Sequence, residues 1–171
     1  LRLVRARMLS EIGQVQEAIE NLQTLTAQQP ENLEALITLV SLYTNTGRWE
    51  SLESIIKPIS KHPQLVDVVL YLEGRAAMAK DRYGTARAKF EQAIKIIPQE
   101  ADLLRRSLYF YYGLSLKKLG RVEEAQNQIL NAIDAGFKPE TRDEALTMSS
   151  SLLRADRAVD AIPLLEAITL N

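Results

Sequence analysis

The sequence contains no cysteine and a single histidine, His62. Without cysteine, disulfides, thiolate nucleophiles and cysteine-based zinc sites are excluded. With one histidine, a multi-histidine metal site is excluded as well, and His62 sits in KHPQ between two predicted helices, where a solvated loop residue is expected. A cysteine-free chain is compatible with both the cytoplasm and the periplasm, so the compartment stays open.

Long apolar runs, glycine-rich loops and excess charge of one sign are also missing. No apolar run approaches the roughly 20 residues that span a bilayer, so membrane insertion is not expected. The seven glycines are isolated, which excludes a phosphate-binding loop. The net charge of −1 and pI of about 6.0 do not favour phosphates, so nucleic acid is not an expected partner. No catalytic constellation is evident, and we predict neither an enzyme nor a cofactor or metal site.

The two ends of the sequence lack the features of natural termini. The segment LRLVRARMLSEIG interleaves its charges with apolar residues, unlike a signal peptide, and it has no initiator methionine. The last residues lie within an apolar helical pattern. We therefore interpret the sequence as a piece of a longer protein.

What the sequence does contain is a repeat. A short turn motif recurs five times, with spacings of 34, 34, 39 and 36 residues: GQV at Gly13, GRW at Gly47, DRY at Asp81, GRV at Gly120 and DRA at Asp156. Glycine suits the left-handed conformation that ends a helix, and aspartate tolerates it at some cost. Such a period predicts a stack of similar two-helix units.

The same apolar columns follow each turn. They are Val15, Trp49, Tyr83, Val122 and Ala158; then Ala18, Leu52, Ala86, Ala125 and Ala161; then Leu22, Ile56, Phe90, Ile129 and Leu165; then Leu25, Ile59, Ala93, Ala132 and Ile168. Steps of three, four and three place these positions on one face of a helix. The second column is small in four repeats, which indicates a close approach of two helix backbones.

These residues resemble the tetratricopeptide repeat family over essentially the whole chain. The best match is the third repeat, which carries the small, aromatic and proline signature at Gly74, Ala77, Tyr83, Ala86, Phe90, Ala93 and Pro98. The second repeat departs from the pattern, with Val40 in place of glycine and Leu52 in place of alanine. The resemblance implies an all-α fold, a right-handed α-solenoid of about five helical hairpins.

We expect a single array of five repeats, at about 1–32, 33–66, 67–105, 106–141 and 142–171. The predicted helix pairs are 2–12 with 15–28, 33–45 with 49–61, 67–80 with 83–97, 101–119 with 122–135, and 141–154 with 158–170. Pro58 and Pro163 are expected to kink the second helices that contain them. The extra residues 101–105 lengthen the first helix of the fourth repeat, or else form a longer loop.

The resemblance also implies that the first helix of each pair lines a concave, partner-binding groove. Carried onto this chain, the expected groove residues are Ile37, Val68, Tyr71, Arg75, Met78, Phe110, Leu114, Lys117 and Leu146. An apolar band with a basic margin is typical of a protein-binding site. Packing in the core is the alternative for Tyr71 and Phe110. The carboxylate clamp of the family's chaperone-binding members is not expected, because Ile37, Ser41, Val68 and Leu72 occupy the corresponding positions.

Three functional hypotheses follow. The first is a scaffold that binds a partner peptide or helix in its groove, without catalysis. The second is self-association into a homo-oligomer through the ends of the array, since terminal repeats need a cap and the last helix, AVDAIPLLEAITL, has no polar one. The third is a docking or regulatory arm of a larger enzyme or cell-envelope assembly machine.

Overall fold

The computed structural model describes residues 2–98 and 101–169, with side chains up to residue 166 in the last helix. In those ranges the regular structure is helical, without strands, which confirms the all-α class. The α-helices are α1 (Arg2–Glu11), α2 (Val15–Gln28), α3 (Leu33–Asn45), α4 (Glu53–Ile59), α5 (Val66–Ala79), α6 (Tyr83–Ile96), α7 (Asp102–Lys118), α8 (Val122–Asp134), α9 (Arg142–Arg154) and α10 (Ala158–Thr169).

The chain forms two compact units, Leu1–Lys80 and Asp81–Asn171, which we describe separately. In the first unit α1 packs on α2, and α3 packs on both α2 and α4. In the second unit α7 packs on α6 and α8, and α9 packs on α8 and α10. Four predicted hairpins are present within the units, as α1 with α2, α3 with α4, α7 with α8, and α9 with α10. The division falls inside the third predicted repeat, 67–105.

The five repeat turns share one conformation. Their left-handed φ values are 81° at Gly13, 67° at Gly47, 55° at Asp81, 76° at Gly120 and 58° at Asp156. At the fourth turn the amide of Arg121 donates to the carbonyl of Leu116 at 3.0 Å, and that of Gly120 donates to Lys117 at 3.1 Å. This pair of bonds is the Schellman motif, which satisfies the last carbonyls of a helix. The turn residues predicted from the sequence are thus confirmed.

The second column of the repeat lies at the centre of the packing. Its members are at most 2% exposed: Ala18, Leu52, Ala86, Ala125 and Ala161. In the fourth repeat the opposite side of the crossing is Gly113, where an added Cβ would lie 2.7 Å from the Cγ1 of Ile129 and 3.1 Å from the carbonyl oxygen of Ala125. The small residues therefore set the distance between α7 and α8. The fourth-column residue Ile168 lies outside the described side chains.

The second repeat differs from the prediction. Instead of one helix over 49–61, a 3₁₀ turn at Trp49–Leu52 leads into the short α4, and a second 3₁₀ turn, Pro63–Leu65, follows it. The change of helix type falls at the fully buried Leu52, N-terminal to Pro58. Leu52 is larger than the alanine of the other repeats. In the other repeats a small side chain at this position allows two helices to pack closely. Here the position holds the larger Leu52, and the α-helix is interrupted at the same residue.

The other boundaries lie within two residues of the predicted ones. The extra residues of the fourth repeat lengthen α7, which begins at Asp102 and runs for 17 residues, so the alternative of a long loop is wrong. Pro163 lies inside α10, as expected. Residue 170, the predicted end of the last helix, lies outside the described residues.

Candidate functional site: the first-helix faces

In the first unit, α1 and α3 are joined at their surface by an ion pair. The guanidinium of Arg7 lies 2.8 Å from the carboxylate of Glu34, with both side chains more than half exposed. One turn further along α3, Ile37 is 47% exposed. Of the expected groove residues in this unit, Ile37 is therefore the apolar one that is most accessible.

The expected groove residues on α5 are less accessible. Val68 and Tyr71 are partly buried and pack against the core of the first unit. Met78 is also half-buried. The sequence does not decide whether Tyr71 belongs to the groove or to the core. In the structure the ring of Tyr71 packs against the core, while its hydroxyl accepts a hydrogen bond from Arg75.

Arg75 is held by two aromatic side chains. Its guanidinium carbon lies 3.4 Å from the ring centroid of Trp49, and its Nη1 donates to the hydroxyl of Tyr71 at 2.8 Å. A cation over an indole face gains electrostatic attraction from the ring quadrupole. The sequence predicts Arg75 at the margin of a groove and Trp49 in an apolar column. It gives no indication that the guanidinium of Arg75 stacks on the ring of Trp49. Their stack fixes α5 to the 3₁₀ turn.

In the second unit, α7 and α9 lie side by side. The hydroxyl of Tyr111 donates to Glu144 Oε1 at 2.7 Å, and the Nζ of Lys117 donates to the hydroxyl of Thr147 at 3.4 Å. Glu144 also closes the capping box of α9 with Thr141. A single carboxylate thus begins α9 and fixes it to α7.

Together these two helices present a surface that we call the α7–α9 face. It consists of Leu114, Lys117, Leu146, Ser150 and Leu153. Leu146 and Leu153 are 44% and 52% exposed, Lys117 is exposed and Leu114 is half-buried. Because Leu146, Ser150 and Leu153 follow at steps of four and three, they lie along one side of α9. The face is an apolar strip with one lysine at its end.

Phe110 does not belong to that face, and its expected place in the groove is wrong. It is fully buried, and its ring stacks on Phe137 with centroids 4.2 Å apart and planes 10° apart. Phe137 reaches this position because Gly136, with φ of 82°, ends α8 in a Schellman motif whose next residue turns back towards the core. Phe137 lies outside the repeat columns, so the repeat pattern did not indicate it. A glycine followed by an apolar residue at a helix end was the available signal.

In four of the five turn motifs an arginine follows the turn residue. In the second unit two of these arginines, Arg121 and Arg157, have a structural role. Arg121 forms two hydrogen bonds of 2.7 Å to the carboxylate of Glu124, in the first turn of α8. Arg157 donates to Asp160 in the first turn of α10 and to Asp134 at the end of α8, both at 2.8 Å. These hydrogen bonds raise the pKa of Arg157. Both arginines are therefore partnered within the protein.

Other kinds of site are not found in the described part of the chain. Residues 2–98 and 101–169 contain no cluster of three histidine, cysteine or acidic side chains that could hold a metal ion. Nor does any described helix combine the length and the apolar character needed to cross a bilayer. His62 lies in the loop before Pro63–Leu65.

Helix pairs that share one turn conformation and bury the same column of residues define a helical-repeat protein. Residues 11–65 match the tetratricopeptide repeat family model, which confirms the resemblance inferred from the sequence. The tetratricopeptide repeat fold implies a scaffold for protein–protein interaction. No curated protein sequence matches the chain.

Solved structures share the fold at low sequence identity. A fragment of MamA from Desulfovibrio magneticus RS-1 superposes with a TM-score of 0.66 at 16% identity, covering 99% of this chain and 92% of that one. The pilF protein of Pseudomonas aeruginosa gives a TM-score of 0.68 at 14% identity, with 99% and 74% covered. YrrB, described as a tetratricopeptide repeat protein with an unusual peptide-binding site, gives 0.59 at 13% identity, with 96% and 81% covered.

Proposed function

We propose that this chain is a binding scaffold and that the α7–α9 face receives a segment of a partner protein. The observation that carries the proposal is the row of Leu146 and Leu153, each about half exposed, beside Lys117. An apolar strip with a polar margin is typical of a surface that a partner covers. A strip along one helix suits an extended or helical segment with apolar anchors.

The first unit, considered by itself, has a candidate surface on its own first helices. Ile37 is the accessible anchor there, with Val68, Tyr71 and Met78 forming a partly buried floor. In this proposal Arg75 contributes through the edge of its stack with Trp49. Taken separately, the two units offer surfaces of different chemistry: an aromatic and arginine surface in the first, and an aliphatic surface with a lysine in the second.

The proposal assigns no catalysis to the chain. In the described residues the titratable groups of the α7–α9 face are the exposed Lys117 and, at its edge, Arg154. Neither is paired with a carboxylate that could act as a general base.

A peptide is the partner that a structural neighbour supports. YrrB, a protein of similar fold, is described as having a peptide-binding site.

The test is a selection of peptides from a displayed random library on the immobilised chain, followed by affinity measurements with two variants. Leu146→Asp places a charge on the α7–α9 face, and we expect the selected peptides to bind it at least tenfold more weakly, or by about 1.4 kcal/mol. Ile96→Asp is the matched control, because Ile96 is 50% exposed on α6, a second helix of a hairpin. Equal losses in both variants, or no loss in Leu146→Asp, would contradict the proposed face.

Self-association is a second candidate, favoured by α10. Val159 and Ile162 on this helix are 79% and 50% exposed and three residues apart, so they share a side of the helix. Light scattering across a concentration series tests it. Self-association predicts a mass that rises with concentration and a return to monomer in Val159→Asp, whereas a constant monomer mass in the parent chain would exclude it.

A further inference from the structure

A small notch opens beside the α7–α9 face, between the end of α7, the start of α8 and the end of α9. Its volume is about 120 Å³, and its lining residues are Lys117, Val122, Ala125, Gln126, Ile129, Ser150, Ser151 and Arg154. One water needs about 10–15 Å³ of such space, so the notch is large enough for a side chain. Because it includes Lys117 and Ser150, it is continuous with the α7–α9 face.

The floor and the rim of the notch differ in character. The floor contains Ala125 and Ile129, which are each 2% exposed. The rim carries two cations, Lys117 at the end of α7 and Arg154 at the end of α9, both exposed. An apolar side chain that enters the notch would therefore contact the apolar floor. The residues next to it in the partner segment would lie close to the two positive charges.

The two rim cations differ from the other basic residues nearby. Arg121 and Arg157 are bound to carboxylates within the second unit. Among the described residues, neither Lys117 nor Arg154 forms an ion pair with a carboxylate, and Lys117 donates to the neutral hydroxyl of Thr147. The notch thus presents positive charge that no described carboxylate neutralises, and complementary charge steers and orients a partner.

We propose that the notch receives an apolar side chain of a partner segment in which an adjacent aspartate or glutamate binds Lys117 and Arg154. This rests on the proposed function of the α7–α9 face and specifies the partner's chemistry. A side-chain carboxylate fits better than a chain terminus, because the notch is continuous with the α7–α9 face and a segment that lies along that face runs past the notch. The hydroxyls of Ser150 and Ser151 already donate to the carbonyl of Thr147, at 2.9 and 3.0 Å.

The experiment uses three small probes on the isotopically labelled chain, followed by NMR. N-acetyl-Leu-Asp-amide carries the proposed pair of groups, N-acetyl-Leu-Asn-amide lacks the charge, and N-acetyl-leucine carries a terminal carboxylate. We expect the aspartate probe to shift the signals of Ile129 and Gln126 with a dissociation constant of roughly millimolar, as suits a small ligand at an exposed site. We expect the asparagine probe to bind at least fivefold more weakly.

Variants assign the charge to its residues. The double substitution Lys117→Met with Arg154→Met should abolish the preference for aspartate over asparagine. The control is Lys118→Met, because Lys118 is exposed at the same helix end but its Nζ lies 5.8 Å from the ring of Tyr83 and outside the notch lining. Lys118→Met should keep the preference. Tighter binding of N-acetyl-leucine than of the aspartate probe would overturn the proposal in favour of a chain terminus.

The outcome is separable from that of the proposed function. If peptides from the library bind the α7–α9 face but the aspartate and asparagine probes bind equally, the notch proposal is wrong and the scaffold proposal stands. If no peptide binds that face, the scaffold proposal is wrong even where the small probe enters the notch.

Discussion

The ring of Phe110 lies flat against the ring of Phe137, with centroids 4.2 Å apart and an interplanar angle of 10°. Tyr111 meets both rings edge-on, at 5.3 and 6.1 Å. The loop after α8 is also held by Arg106, which donates to the carbonyl of Gly136 at 3.1 Å. This aromatic group fixes the connection between the fourth and fifth repeats onto α7, the helix that supplies one side of the α7–α9 face.

Truncating the stack should destabilise the fold. Phe110→Ala removes a fully buried ring, and we expect it to lower the free energy of unfolding by about 3–5 kcal/mol. Urea unfolding followed by circular dichroism measures this. Leu103→Ala on the same helix, where Leu103 is 69% exposed, is the control and should change stability by less than about 0.5 kcal/mol. A stable Phe110→Ala variant would show that Phe110 is not a core residue.

The crossing of α7 and α8 should reject one methyl group. Gly113→Ala places a Cβ 2.7 Å from Ile129 Cγ1 and 3.1 Å from a backbone oxygen that cannot move freely. The gain in helix propensity, about 1 kcal/mol, is outweighed by overpacking of about 1–3 kcal/mol. We expect net destabilisation in thermal unfolding. Gly84→Ala is the control, because nothing lies within 4 Å of an added Cβ there, and it should be neutral or stabilising.

The left-handed aspartate at the last turn should be improvable. Asp156 has φ of 58°, where glycine pays no Cβ penalty, so Asp156→Gly should stabilise the second unit by about 0.5–1 kcal/mol. The reverse exchange at the equivalent turn, Gly120→Asp, should destabilise it by a similar amount. Differential scanning calorimetry on both variants measures the pair. Opposite signs are expected, and two changes of the same sign would contradict the explanation.

The stack of Arg75 on Trp49 should be visible in fluorescence, because Trp49 is the single tryptophan of the chain. Arg75→Met removes the cation that covers the indole, and the emission of Trp49 should change in wavelength and intensity. The cost in stability should be about 0.5–1 kcal/mol, as for a partly exposed cation–π pair. Arg7→Met, which breaks the exposed pair with Glu34, should leave the emission unchanged. An unaltered spectrum in Arg75→Met would contradict the stack.

The repeat made most of the fold readable from the sequence. A turn residue that must adopt a positive φ and a small residue that must fit a helix crossing each impose a local steric demand, and five copies make the demand visible. The prediction failed where a residue breaks the pattern of its column or lies outside the repeat columns. Leu52 coincides with the interruption of one helix, and Phe137 draws Phe110 into the core.

The candidate site was less predictable than the fold. The family resemblance predicts which side of a helix a groove residue lies on. Whether that side chain is exposed depends on the other residues that pack against the same side. Leu146 and Lys117 are exposed as expected, whereas Arg75 is bound to Trp49 and Tyr71 within its own unit. The pairing of Arg157 with Asp134 joins residues 23 apart along the chain, and no short-range pattern indicates it.

We propose above that a partner segment occupies the α7–α9 face. It is tested most directly by methyl NMR of the labelled chain titrated with a library-selected peptide. We expect the methyl signals of Leu114, Leu146 and Leu153 to shift together and saturate at one dissociation constant, while those of Ile96 and Val159 stay in place. Saturable shifts confined to Ile96, Val159 or other methyls outside the face would contradict it.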